Sequence, residues 1–176
     1  MSFKKNKYVI IKQAINKDLA LFLYNYFLMK RQVLDTCLNA RYISPYETLL
    51  GQYEGANSQI PHTYSNYSDI AMETLMLKCQ PVMEKITGLK LYPAYTYARI
   101  YKKGDILKRH KDRFSCEIST TMNLGGDDWP IYLEPSEEIN KKGIKVNLKP
   151  GDMLVYSGCE LEHWREKFKG KDCAQV

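Results

Sequence analysis

An α+β fold, with helices first and strands afterwards, is what this sequence of 176 residues predicts. Three observations carry that reading. Apolar residues recur at helical spacing before Leu89, the later segments are short and β-prone, and Gly or Pro turn chemistry separates them. Many short strands punctuated in this way indicate a sandwich or a jelly-roll barrel, with the helices buttressing one sheet. The expected organisation is a single domain, with helical support over about 1–90 and a barrel core over about 91–176.

The first helix is expected to take Asn16 as its N-cap and to carry Leu19, Phe22, Leu23, Tyr26, Lys30 and Val33 on one face. Lys30 interrupts that stripe and is expected to snorkel to water. A second helix opens at Ser68 or Asp69, carries Ile70, Met72, Leu75, Met76 and Met83, and stops at Gly88. Pro81 is expected to kink or split it. The Tyr-rich stretch 42–67 between them reads as a long irregular loop, a candidate lid over a site. Strands are predicted over 95–101, 117–124, 131–134, 144–148 and 153–156, with a last one beginning near Cys173. The breaks between them, such as Gly125-Gly126-Asp127-Asp128 and Pro150-Gly151-Asp152, are turn formers.

Composition excludes several classes. A chain that is 44% hydrophobic and 26% charged, with 10 Gly and 7 Pro, is neither disordered nor collagen-like. Its 14 tyrosines suit walls that are apolar in body and polar at the tip. The net charge of +6 is spread along the chain, so solubility accounts for it as well as a nucleic-acid partner does. The five cysteines, Cys37, Cys79, Cys116, Cys159 and Cys173, are widely spaced and fit reduced thiols rather than a disulfide framework. The opening Met-Ser-Phe-Lys-Lys lacks the apolar core of a signal peptide, and the greasy stretch 19–29 falls short of a bilayer span. A soluble, cytoplasmic protein with no membrane partner is expected. The sequence stops at Cys-Ala-Gln-Val, partway into a predicted strand, and the native chain is expected to continue beyond Val176.

Three histidines allow each to be weighed. His110 and Asp112 form His-x-Asp, and residues two apart in a strand point to one face. His163 follows a Pro-Gly turn and an apolar strand, and a barrel can bring it beside the other two. Two neutral imidazoles and a carboxylate bind one face of a divalent ion and leave positions open, as in non-heme Fe(II) oxygenases. Taken alone, Lys108-Arg109-His110-Lys111-Asp112-Arg113 is also what a solvated charged turn looks like. His62 reads as a loop residue, Trp129 as core at the start of a strand or as an edge of the cleft, and Asp127 and Asp128 as turn formers. The basic run 141–145 reads as an exposed hairpin edge protected by its charge.

Several pieces, in order, carry a resemblance: Arg99-Ile100-Tyr101 with Lys-Lys-Gly-Asp, His110-Lys111-Asp112, the strand 117–124, the Gly125-Gly126 turn, Leu148-Lys149-Pro150-Gly151-Asp152 with its strand, and His163. Together they cover about half the chain. The sequence resembles the prolyl 4-hydroxylase-like branch of the Fe(II)/2-oxoglutarate-dependent oxygenases. The resemblance implies a double-stranded β-helix core, Fe(II), 2-oxoglutarate and O2 as reactants with ascorbate in support, and His110, Asp112 and His163 as iron ligands. It further implies that Tyr101 lines the 2-oxoglutarate pocket and that the substrate is a prolyl residue of a peptide or protein. One departure stands out. Cys173 occupies the position where the family usually has a Lys or Arg for the distal carboxylate of 2-oxoglutarate. A buried dicarboxylate still requires a cation. Arg165 is the first candidate, Lys171 the second, and Arg99 a third if its strand face points inward.

Three alternatives remain on the sequence. A related oxygenase acting on alkylated nucleic acid would show salt-sensitive affinity for single strands. Zinc in the same three ligands would activate water for hydrolysis. A jelly-roll binding module without catalysis is the reading that Cys173 favours most.

Overall fold

The computed structural model describes residues 2–53, 60–136 and 142–176. After a helical turn, α1 (Phe3–Asn6), a strand β1 (Tyr8–Ile11) leads into the long helix α2 (Lys17–Asn39). A short strand β2 (Ser65–Tyr67) precedes α3 (Ile70–Thr87), and strands follow: β3 (Tyr97–Lys102), β4 (Leu107–His110), β5 (Ile118–Gly126), β6 (Ile131–Glu134), β7 (Ile144–Val146), β8 (Met153–Ser157), β9 (Glu162–Arg165) and β10 (Asp172–Gln175). Every pairing is antiparallel. The order is β1-β8-β5-β10-β3-β2 in a six-stranded sheet and β4-β9-β6-β7 in a four-stranded one.

The two helices start where their caps dictate. The Asn16 side chain accepts the Leu19 N–H at 2.8 Å, and the Asp69 carboxylate accepts the N–H groups of Ala71 and Met72. Helix α3 ends at Gly88, whose φ of 74° is the left-handed conformation a helix stop favours. Pro81 lies inside α3, which runs on past it, so of the kink or split expected from its missing N–H the split does not occur.

The buried stripe of α2 is Ala20, Leu23, Phe27 and Leu34, rotated from the predicted one. Phe22 is 67% exposed and Val33 is exposed too. Lys30 also departs from expectation. Its ammonium does not snorkel but turns inward to ion-pair with Asp69, the buried cap of α3, which also accepts from the Tyr26 hydroxyl at 2.8 Å. A polar clasp therefore ties the two helices together at the position a hydrophobicity pattern reads as a fault.

The helices cover the outer face of the larger sheet. Phe27 and Met72 pack there with Ala98, Ile100, Leu124, Val155 and Ala174. Truncating a fully buried Phe such as Phe27 costs roughly 3–5 kcal/mol. Gly125 of β5 admits the ring of Tyr24, since a Cβ there would meet that ring at 2.7 Å. Period two then sends the alternate residues inward. In β3 these are Tyr97, Arg99 and Tyr101, in β10 Cys173 and Gln175, and in β5 Ser119 and Thr121, while Ala98, Ile100 and Ala174 face the helices. Leu154 and Tyr156 of β8 join Ile131, Leu133 and Val146 of the smaller sheet in a second cluster, so the sheets pack face to face.

Strands β1, β2, β4 and β9 lie outside the predicted set. Strand β2 falls in the stretch read as an irregular loop, of which 54–59 lies outside the described residues. Strand β7 does form an edge with Lys142 and Lys145 exposed, while Lys141 of that predicted basic edge lies outside the described residues. Among the described residues, no helix is long and apolar enough to cross a membrane, and all five cysteines are free.

Candidate metal centre

Strand β4 is the charged sequence Leu107-Lys108-Arg109-His110, and it forms a strand because β9 gives it partners. Arg109 ion-pairs with Glu162 at 2.5 Å and lies 4.5 Å over the Trp164 ring. The register runs Leu107 to Arg165 and His110 to His163, so three steps on β4 match two on β9. That bulge has a consequence. Leu107 and His110 are an odd number of residues apart, and only the extra residue lets both face inward.

His110 and His163 thereby stand directly opposite each other, with ring centroids 4.2 Å apart. Asp112 lies just beyond the end of β4, where its N–H donates to the Gly158 carbonyl at 2.8 Å. Its Oδ1 is 3.7 Å from Nε2 of His110 and 3.5 Å from Nε2 of His163. The three donor atoms lie within 4.8 Å of one another, the one such cluster of three among the described residues. Two donors, each about 2.1 Å from one ion and at right angles, sit about 3 Å apart. A small inward movement of these side chains therefore suffices to hold an ion.

The surroundings orient the donors. Nδ1 of His110 meets the Lys108 carbonyl at 2.7 Å, and Nδ1 of His163 meets the Leu161 carbonyl at 3.0 Å. A carbonyl only accepts, so each Nδ1 carries a proton and each Nε2 is turned toward the cluster. Burial, and then the neighbouring His163, depresses the pKa of His110, outweighing the Lys108 and Asp112 contacts that favour its charged form. For Asp112 burial works to raise the pKa, but the hydrogen bond and charge of His163 and the Ser119 hydroxyl, at 2.7 Å from Oδ2, hold it below the usual range. Ligation requires neutral imidazoles beside an ionised carboxylate, so a bound ion would take the place of the contact between His163 and Asp112.

The cluster opens into a cavity of about 760 Å³ that runs between the sheets toward α3. Arg165, two residues beyond His163 and on the same face, lines it and is 2% exposed. Its guanidinium donates to the Trp129 carbonyl, and at 3.3 Å to both Thr121 and Gln175. Among the described residues no carboxylate pairs with it, and burial pushes its pKa below the ordinary value. Tyr101 lines the same wall, edge-on to Trp129 at 4.6 Å. Arg99 points inward as well. Of the three candidate cations, Lys171 is the one that does not reach the cavity. It sits exposed in the turn before β10, where its N–H donates to Asp127. Cys173 is buried among Tyr101, Trp129 and Phe168, behind the residues that line the cavity.

No family model matches the sequence, and no curated protein matches it by sequence. Solved structures match it by fold. A prolyl-4-hydroxylase from Pseudomonas putida does so with a TM-score of 0.63 over 98% of this chain and 91% of its own, at 14% identity. The viral collagen prolyl hydroxylase of Paramecium bursaria Chlorella virus-1, a 2-oxoglutarate complex, gives 0.62 over 98% and 94%, at 10% identity. HygX from Streptomyces hygroscopicus, with nickel and 2-oxoglutarate bound, gives 0.64 over 98% and 82%, at 11% identity. The chain has the fold that these structures share.

Within this fold two residues matter to the cluster that the sequence did not single out. A Cβ at Gly158 would lie 2.4 Å from both Asp112 Oδ2 and Ser119 Oγ, so only glycine leaves room for that carboxylate and its hydroxyl partner. Ser119 had a weak signal as an inward position of a predicted strand, and Gly158 had none beyond following a strand end. Trp129 turns out to be core, its Nε1–H donating to the Glu166 carbonyl at 2.7 Å. His62 is exposed and does not line the cavity, and Asp128 pairs with Lys149 on the surface.

Proposed function

We propose that this chain is an Fe(II)- and 2-oxoglutarate-dependent dioxygenase that hydroxylates a C–H bond, on a double-stranded β-helix core formed by a single domain. The observation that carries the proposal is the convergence of His110, Asp112 and His163 on the wall of a cavity that also holds a buried arginine with no carboxylate partner. The donor set suits Fe(II), since two imidazoles and one carboxylate leave positions for other ligands. Arg165 suits the distal carboxylate of 2-oxoglutarate. It stands two residues, about 6.6 Å of strand, beyond His163, a span a five-carbon diacid can bridge. Its planar fork can meet a carboxylate with two hydrogen bonds, replacing the cation that Cys173 lacks.

Bound Fe(II) and 2-oxoglutarate supply the oxidising chemistry, with O2 consumed and succinate and CO2 released. The chain's own residues do the positioning. His110, Asp112 and His163 hold the metal, and Ser119 and Gly158 orient Asp112. Arg165 and Tyr101 set the direction of the diacid, and Trp129 and Phe168, packed behind them, keep water out. We take a prolyl residue as the first substrate class to test, because two of the proteins that share the fold are named prolyl hydroxylases. A cytoplasmic setting fits the five free cysteines.

The test is succinate formation from 2-oxoglutarate with Fe(II) and ascorbate, with and without prolyl compounds. Wild type should release succinate, and His110→Ala should release none above the metal-only background. An inactive wild type that binds neither metal nor 2-oxoglutarate would instead support a binding module.

A further inference from the structure

The cavity holds a second buried cation that 2-oxoglutarate does not require. Arg99 lines it from β3, is 3% exposed, and has a buried Nε with no hydrogen-bond partner. Its guanidinium lies 4.7 Å from the Tyr97 ring and 5.4 Å from the Tyr101 ring, and one Nη donates to the Tyr97 hydroxyl at 2.5 Å. Two aromatic walls thus hold the fork in place before any ligand arrives. Among the described residues no carboxylate pairs with it. Other buried acids are committed elsewhere, Asp69 to Lys30, Asp105 to Lys102 and Asp152 to Lys12.

Charge then decides what is missing. On the inner wall two arginines face one aspartate, an excess of one positive charge. A divalent ion and dianionic 2-oxoglutarate cancel each other, so their arrival leaves that excess in place. A buried cation without a counter-charge is costly, and one further anion would relieve the imbalance. The second arginine is also displaced toward the open end. Arg99 sits beyond Tyr101 along β3, and the next inward residue, Tyr97, lies tilted against the exposed Tyr67, ring centroids 4.2 Å apart.

We infer that Arg99 receives the carboxylate of the substrate, which makes the substrate a prolyl-type acid with a free carboxylate, either an imino acid or the C-terminal residue of a peptide. An internal prolyl residue has no charged group to offer at this depth. The inference rests on the oxygenase reading above and narrows its substrate.

The experiment is calorimetric titration of the Zn(II)-loaded protein, saturated with 2-oxoglutarate, with L-proline, N-acetyl-L-proline and N-acetyl-L-prolinamide. At least one acid should bind about tenfold or more tighter than the neutral amide, the minimum for a charge-assisted hydrogen bond. L-proline as the tighter acid identifies the free imino acid, and N-acetyl-L-proline identifies the chain terminus. In Arg99→Gln the gap between acid and amide should close to within about threefold, with 2-oxoglutarate affinity changed by less than about threefold. Equal binding of acids and amide, or binding of none, overturns the inference, and this comparison on the wild type needs no variant. So does an Arg99→Gln protein that loses 2-oxoglutarate as severely as Arg165→Gln, which would place Arg99 in the co-substrate site. Failure of the wild type to bind 2-oxoglutarate at all would instead remove the oxygenase reading.

Discussion

Gly158→Ala tests the candidate centre without touching a ligand. The new methyl would sit 2.4 Å from Asp112 Oδ2, 2.4 Å from Ser119 Oγ and 2.6 Å from the Cys116 carbonyl. Ordinary contact begins near 3.4 Å, so the carboxylate and the hydroxyl must each retreat by about 1 Å, and the backbone at Cys116 blocks the alternative of moving the methyl. Metal–ligand distances tolerate only about 0.2 Å. Displacement on this scale removes Asp112 from ligation or leaves it strained, and loss of the Ser119 bond alone costs about 10–100-fold in metal affinity. We expect Gly158→Ala to bind Ni(II) or Fe(II) at least about a hundredfold more weakly than wild type. Chelator competition measures this, with thermal unfolding of the metal-free proteins as the control for folding. Affinity within about threefold of wild type, with the fold intact, would refute the reasoning.

Two further expectations follow from buried charges. On the proposed role of Arg165, Arg165→Gln would remove a charge-assisted contact of about 3 kcal/mol and should raise KM for 2-oxoglutarate roughly a hundredfold. An unchanged KM in steady-state succinate assays would assign that carboxylate elsewhere. Asp69→Asn leaves the Lys30 ammonium buried without its partner, and should cost about 3 kcal/mol, or roughly 10 °C in Tm. Burial acts to raise the Asp69 carboxyl, but Lys30, Tyr26 and the Met72 amide hold it below its ordinary value of 3.8. The stability it contributes is therefore fully present above pH 3.8 and is lost as pH falls through the lower folded value. Denaturant titrations should show a constant gap between wild type and Asn at neutral pH that narrows below that point.

The site was legible because its chemistry depends on residue types that are rare here. Three histidines, one of them in His-x-Asp, left few combinations, and the turn Pro150-Gly151-Asp152 framed the strand before His163. Caps were equally readable, since Asn16 and Asp69 act through bonds to residues two or three positions on. What sequence concealed was partnership across the chain. Strand β4 carries Lys108 and Arg109 within a charged run and looks like a turn until Glu162 and Trp164 supply its neighbours. Strand β1 is extended because β8 pairs with it, and four residues carry too little periodicity to say so. Lys30 read as a misfit because its partner lies 39 positions away. Gly158 carries no side chain to notice, and its meaning is the space it leaves.

The two imidazoles of the centre belong to paired strands, one of them, β4, at the rim of its sheet. A rim strand is the first to fray, so an ion shared across that pairing would act as a clasp. Loading and release would then be inseparable from the docking and peeling of 107–112, and an empty protein would carry its loosest segment at the very place where the ion must land.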